Sequence, residues 1–214
     1  WYLTLDAAIK AANEGNGEKT LKLYQDVKTN VPSYELTHGP VTLDVNGKTA
    51  SGVIITVKGI QLTVTGEGTI RDVTASGSSA VVKNSTVDIN YITAESGGRL
   101  ELGGGSYMGL TVKNDGSSAS LSGGTYKKIE WGGNFYVPAN EYLADGYGYK
   151  TSDGTWEDGT ASVDKVTVMP APIKSTKVYP NSETDYSGST FDAKNSTSVT
   201  LTVSVTSDES AGLT

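Results

Sequence analysis

A short pattern of apolar residues recurs through the middle of the chain and sets the strongest limit on its fold. In each copy two apolar residues flank a third position, and glycine or asparagine follows within two residues. The copies begin at Leu43, Leu62, Ala80, Leu100 and Ala119, at spacings of 19, 18, 20 and 19 residues. A second apolar column keeps the same period and comprises Ile54, Val73, Ile92, Leu110 and Ile129. A third comprises Ile70, Ile89, Tyr107 and Tyr126. Such a period predicts stacked units of one shape.

A period near 19 that is built from two-residue alternation is typical of a β-solenoid. Each turn has short strands that cannot bury their apolar side chains alone. Stacking the turns at ~4.8 Å completes the backbone hydrogen bonds and encloses a core. We therefore predict an all-β parallel β-helix, with the columns pointing inward, glycines at the corners and an irregular first turn through residues 21–27. The column Ile55, Thr74, Thr93, Thr111 and Glu130 is expected to face outward as a flat, threonine-rich surface.

Both ends of a solenoid need caps, because an open end exposes core and strand edges. At the first end, Thr4 is a predicted helix N-cap, and Gly15 is a natural stop. Between them Leu5, Ala8, Ile9 and Ala12 form one apolar stripe, so we predict a capping helix. At the other end an aromatic-rich stretch with Asp-Gly turn signals is predicted to cover the last turn.

The domain boundary is predicted near residue 160. Residues 1–160 form the β-helix with its two caps, and 161–214 form a linker and a strand-rich tail. The tail contains one alternating strand around Val199–Val205, which fits either the first strands of an immunoglobulin-like module or an arm packed on the helix. The abrupt start at Trp1 leads us to expect that the chain is a monomeric module of a longer protein.

Composition argues against several classes of partner. The formal net charge is −7, and an acidic surface repels nucleic acid. No stretch approaches the ~20 apolar residues that span a bilayer, so membrane insertion is not expected. The chain has no cysteine and one histidine, His38, in a turn. No phosphate loop or calcium loop is recognisable, and the acidic residues of the repeat occupy different phases of the turn. We therefore predict no catalytic site, no metal and no cofactor.

Four segments carry a resemblance to a known family: residues 4–27, 41–52, 62–72 and 141–159. They resemble the pectin-lyase-like, right-handed β-helix domains of large secreted or surface proteins of Gram-positive bacteria. The resemblance implies a right-handed helix, an extracellular location at the cell surface and an adhesin-like role. It implies a host protein, such as an immunoglobulin or a mucosal glycoprotein, or a glycan as the partner. A polysaccharide lyase or glycoside hydrolase of the β-helix class and a purely structural spacer stay open as alternatives.

The candidate binding residues are the rings of the aromatic stretch. Tyrosine and tryptophan are the residues most often found at interface hot spots. The candidates are Phe135, Tyr136, Tyr142, Tyr147, Tyr149 and Trp156. The alternative is that these rings only cover the end of the core.

Overall fold

The chain folds as an all-β, right-handed solenoid of about six turns, with one short helix at its N-terminal end. The computed structural model describes residues 4–28, 33–132, 139–157 and 164–171. The predicted fold class is therefore confirmed for these ranges. No helix in them has the length and apolar character needed to span a bilayer.

Each turn contributes strands to two parallel ladders. The first ladder runs in the order β1 (Lys19–Lys22), β3 (Val41–Asp44), β5 (Gln61–Thr65), β7 (Val81–Asn84), β9 (Arg99–Lys113) and β10 (Ser118–Gly132). The second contains β2 (Ser33–Leu36), β4 (Lys48–Lys58), β6 (Gly68–Ser76) and β8 (Asp88–Glu95), and it then joins β9. Strands β9 and β10 are long enough to bend around the corner and belong to both ladders.

The first inward column has a register that differs from the predicted one at two positions. Leu43 lies beside Val64, and Leu62 lies beside Val41 and Val82. Ala80 precedes β7, where its amide closes a turn onto the carbonyl of Gly77. The column is therefore Val41, Leu62, Val82, Leu100 and Ala119. Leu43 and Ala80 are nevertheless buried, because a shift of two residues keeps a side chain on the same face.

The prediction for the second column is wrong by one residue at its first position. Ile55, not Ile54, lies beside Val73, and the column continues through Ile92, Leu110 and Ile129. A bulge in β4 between Ala50 and Ile54 causes the slip. A one-residue slip reverses the side chains. Ile55 is therefore fully buried, and the outward column contains Thr56 in its place, beside Thr74, Thr93 and Thr111. The backbone of Glu130 lies beside Thr111 in register. The third column, Ile70 to Tyr126, is confirmed.

The N-terminal cap is confirmed. Helix α1 spans Leu5–Glu14, and the Thr4 hydroxyl accepts a hydrogen bond from the amide of Ala7 at 3.2 Å. Ile9 and Ala12 are buried against the core. Gly15 ends the helix in an extended conformation.

In the described part of the chain, three strands and a 3-10 helix cover the C-terminal end of the solenoid. The helix spans Ala139–Tyr142, and the strands are β11 (Tyr147–Thr151), β12 (Trp156–Glu157) and β13 (Asp164–Pro170). Strand β13 pairs antiparallel with β10. The compact unit that contains the solenoid extends to Met169. Strand β13 lies within the range 161–214 that we assigned to a linker and tail, and residues 172–214 lie outside the described ranges.

Candidate functional site

The predicted aromatic residues divide into packing and surface positions. Tyr142 and Tyr149 are buried in the C-terminal cap, so both contribute to the core. Tyr147 and Trp156 are partly exposed, and the Lys150 ammonium lies 5.5 Å from the centre of the Trp156 ring, a cation–π contact. Phe135 and Tyr136 lie outside the described residues.

A shallow groove runs across the outer face of the first ladder, over strands β5, β7, β9 and β10. Its volume is about 390 Å³. Hydroxyl side chains border it: Thr63, Ser85, Ser120 and Ser122. Gly103 lies between Ser85 and Ser122 and adds no side chain, so the surface dips at this position. The groove is thus open and has both polar and apolar lining, unlike the concave and mostly apolar pockets that hold most small ligands.

Three charged side chains form a linked cluster in the groove. Lys83 and Glu101 are neighbours on adjacent strands, with Nζ and Oε2 3.1 Å apart. The Nε of Arg99 lies 3.3 Å from the other carboxylate oxygen, Oε1. One carboxylate therefore orients two cations, and the three side chains together carry a net positive charge.

The groove was not recognised in the sequence, although a signal exists. Arg99 and Glu101 alternate on one strand, so they share a face. Lys83 precedes Glu101 by 18 residues, one turn of the repeat. With the correct register of β7 against β9, the period alone would have predicted the pair of Lys83 and Glu101.

Other acidic side chains of the repeat have separate structural partners. Asp88 accepts a hydrogen bond from the amide of Ser106 at 2.9 Å, and Asp115 accepts one from the amide of Ser96 at 2.6 Å. Glu95 is paired with Lys113. No group of three or more acidic or histidine side chains suited to a metal ion occurs in the described ranges. His38 is exposed, and its Nδ1 lies 3.0 Å from the hydroxyl of Thr37.

Asp72 is an unusual carboxylate in this structure. Its Oδ1 is buried without a hydrogen-bond partner, and its Oδ2 lies 3.5 Å from the Nε of Arg71. Burial raises the pKa of Asp72 above its ordinary value, and the charge of Arg71 only partly opposes this effect.

Comparison with known proteins adds no relative. No family model, no curated protein and no solved structure matches the chain.

Proposed function

We propose that this chain is a non-catalytic binding module of a bacterial surface protein, and that it binds a glycan in the groove of the first ladder. The extracellular location and the Gram-positive source rest on the resemblance to pectin-lyase-like domains. The groove supports the choice of ligand, and its charged cluster is the observation on which the proposal rests.

The groove presents the kinds of groups that sugar hydroxyls need. A hydroxyl both donates and accepts hydrogen bonds. In the groove, Glu101 accepts, Lys83 and Arg99 donate, and the serine and threonine hydroxyls do both. The two ion pairs restrict the side chains before a ligand arrives, which lowers the entropic cost of binding.

A glycan array probed with the whole chain tests the proposal, followed by titration of the best binder against variants. Lys83→Ala and Glu101→Gln should each lower the affinity at least about tenfold, the loss expected when one charged hydrogen-bonding group is removed. Lys113→Ala is the matched control, because Lys113 and Glu95 form a similar exposed pair away from the groove. No glycan bound, or binding that ignores both groove substitutions, would contradict the proposal and favour a structural spacer.

A polysaccharide lyase is the second candidate. The observation that favours it is the placement of Lys83 and Arg99 together in an open groove, because a lyase needs a basic residue to remove a proton α to a carboxylate. A glycoside hydrolase ordinarily needs two carboxyl groups, and Glu101 is the carboxylate in the described lining. Incubation with polygalacturonate and other uronic-acid polymers, with and without calcium, distinguishes the non-catalytic binding module from a lyase or a hydrolase. We expect neither unsaturated product nor new reducing ends; turnover that Lys83→Ala abolishes would establish the lyase.

A further inference from the structure

A basic corner of the solenoid, distinct from the groove, combines exposed apolar side chains with cations. The corner consists of Arg71, Tyr91, Met108, Lys127 and Lys165, which come from β6, β8, β9, β10 and β13. The register places them together. Asp72 pairs with Tyr91 and Tyr91 with Gly109, so Arg71, Asn90 and Met108 form the adjacent column. Tyr107 pairs with Tyr126, which continues that column to Lys127.

The two apolar side chains are the first unusual feature of the corner. Tyr91 is 56% exposed and Met108 is 45% exposed, and they are two of the three large apolar side chains with high exposure in the described ranges. The Tyr91 ring lies against Gly109, where an added Cβ would come within 3.0 Å of its Cδ1. Gly109 therefore provides the space in which the ring rests on the neighbouring strand.

The cations are the second unusual feature. Strand β13 runs antiparallel to β10, and the pairs Tyr126–Val166 and Lys128–Asp164 flank Lys127 and Lys165, which therefore lie on neighbouring stretches of the two strands. Like charges close to each other across strands are destabilising. Lys165 also has a φ of 54°, a left-handed conformation that is unfavourable for a residue with a side chain. Asp72 lies 3.5 Å from Arg71 and offsets its charge, so the positive charge of this corner comes from Lys127 and Lys165, although the whole chain carries a formal charge of −7.

We infer that the basic corner is a docking surface for an acidic segment of a partner protein. Tyrosine, methionine and arginine are enriched at protein interfaces, and apolar anchors ringed by charges match their usual arrangement. Charge complementarity selects glutamate and aspartate in the partner, while Tyr91 and Met108 require apolar side chains from it. A polyanionic glycan would use the cations and leave Met108 uncovered. This inference does not depend on the groove.

The test uses the whole chain and two synthetic peptides. Both alternate leucine with a charged residue; one carries glutamate and the other lysine. Amide chemical shifts should move around Tyr91, Met108 and Lys127 with the glutamate peptide only. The variants Tyr91→Ala, Met108→Ser and Lys127→Glu should each weaken its affinity about tenfold or more. Tyr24→Ala is the control, because Tyr24 is 59% exposed outside the corner.

Thermal melts show whether each variant is folded. If Tyr91→Ala unfolds, the affinity of Met108→Ser for the glutamate peptide still tests the inference. A heparin fragment serves as the polyanion arm. Two results would overturn the inference: equal binding of both peptides, or no binding of the glutamate peptide. In the second case, heparin binding that is unaffected by substitution of Tyr91 and Met108 would show that the corner attracts polyanions by charge alone. Lys83→Ala should leave the peptide affinity unchanged, so the groove and the corner are tested separately.

Discussion

At the scale of single residues, Asn84 shows how the core tolerates a polar side chain. It occupies an inward position between Val64 and Leu102, and it is the buried polar side chain of the described core. Its Nδ2 donates to the carbonyl of Val87 at 2.8 Å, and its Oδ1 accepts from the amide of Val87 at 3.1 Å. Asn84 thus pairs both backbone groups of Val87, a residue at the corner between β7 and β8.

Removing this amide should destabilise the solenoid. Asn84→Ala leaves the backbone groups of Val87 without their partner and opens a cavity, so the free energy of unfolding should fall by about 2–4 kcal/mol. Chemical denaturation measures the change. Ser85→Ala, at the exposed neighbouring position, should shift it by less than about 0.5 kcal/mol. Equal effects of the two substitutions would contradict the role given to Asn84.

The stacked tyrosines are core residues. The rings of Tyr107 and Tyr126 are 4.8 Å apart and inclined by 8°, and both are buried. The Tyr107 hydroxyl donates to the carbonyl of Gly104 at 2.7 Å, and that of Tyr126 to Gly123 at 2.9 Å. Burial raises the pKa of both phenols well above the usual range. The prediction that the third column points inward is therefore confirmed for both rings.

Asp72 leads to a prediction about pH. Burial raises the pKa of Asp72 above the ordinary value of 3.8. The carboxyl group therefore stabilises the folded state at a pH below 3.8, and this stabilisation is lost as the pH rises through the pKa of the folded state. Asp72→Asn should therefore gain stability relative to the native chain as the pH rises from about 3 to 7. Paired denaturation curves across this range measure the difference.

Asp115 provides a control of opposite sign. Hydrogen bonds from the Ser117 hydroxyl and from backbone amides lower its pKa, so its contribution is present above the ordinary value and is lost as the pH falls through the folded pKa. Asp115→Asn should lose stability relative to the native chain over the same rise in pH. If Asp72→Asn lost relative stability in the same way as Asp115→Asn, the raised pKa of Asp72 would be contradicted.

At the scale of elements, the glycine corners differ in what they require. A Cβ on Gly104 would lie 2.1 Å from the backbone oxygen of Ser85 on the turn below, whereas one on Gly103 would have its nearest neighbour at 3.6 Å. Neither residue has a positive φ. Glycine is therefore required at position 104 because the backbones of adjacent turns approach each other closely there.

These adjacent glycines allow a matched test of turn stacking. Gly104→Ala should push β9 away from the turn below and cost about 3 kcal/mol or more, since a backbone cannot move as a side chain can. Gly103→Ala should change stability by less than about 1 kcal/mol, because its Cβ meets only ordinary contacts. The midpoints of urea unfolding measure both. A well-folded Gly104→Ala chain would contradict the stacking distance.

The capping helix contains a contact that the sequence pattern did not reveal. Asn13 Nδ2 donates to the carbonyl of Glu35 at 2.7 Å, and its Oδ1 accepts from the amide of Thr37 at 2.9 Å. One side chain of the helix thereby hydrogen-bonds two backbone groups in and directly after β2, the strand that pairs with β4. The apolar stripe predicted the helix, while this polar contact depends on where the helix lies.

At the scale of the whole molecule, both ends of the solenoid should control its stability, because each turn is supported mainly by its neighbours. Ile9→Asp buries a charge under the first turn and should cost about 3 kcal/mol or more. Tyr149→Ala empties a fully buried position in the C-terminal cap and should cost about 3–5 kcal/mol. The exposed Lys10→Ala is the control for the helix. Thermal melts that Ile9→Asp and Tyr149→Ala leave unchanged would contradict the capping roles.

The sequence by itself determined the class of fold, the length of the repeat and the identity of the N-terminal cap. These features depend on local alternation, on a period repeated five times and on a helix stripe, all of which can be read along the chain. The third column was predicted correctly because Ile70, Ile89 and Tyr126 each stand between polar neighbours, and Tyr107 keeps their spacing.

Only the tertiary structure decided the register and therefore the surfaces. Ile54 and Ile55 are adjacent and equally apolar, so the bulge in β4 alone selects the one that points inward. The groove needs Lys83 on one turn to meet Glu101 on the next, and the basic corner needs β13 to return against β10. The burial of Tyr149 likewise depends on the path of the C-terminal segment. Contacts between turns join residues that are distant in the chain. A register shift of one residue turns each side chain to the opposite face of the sheet, and the local sequence pattern does not define the register to within one residue.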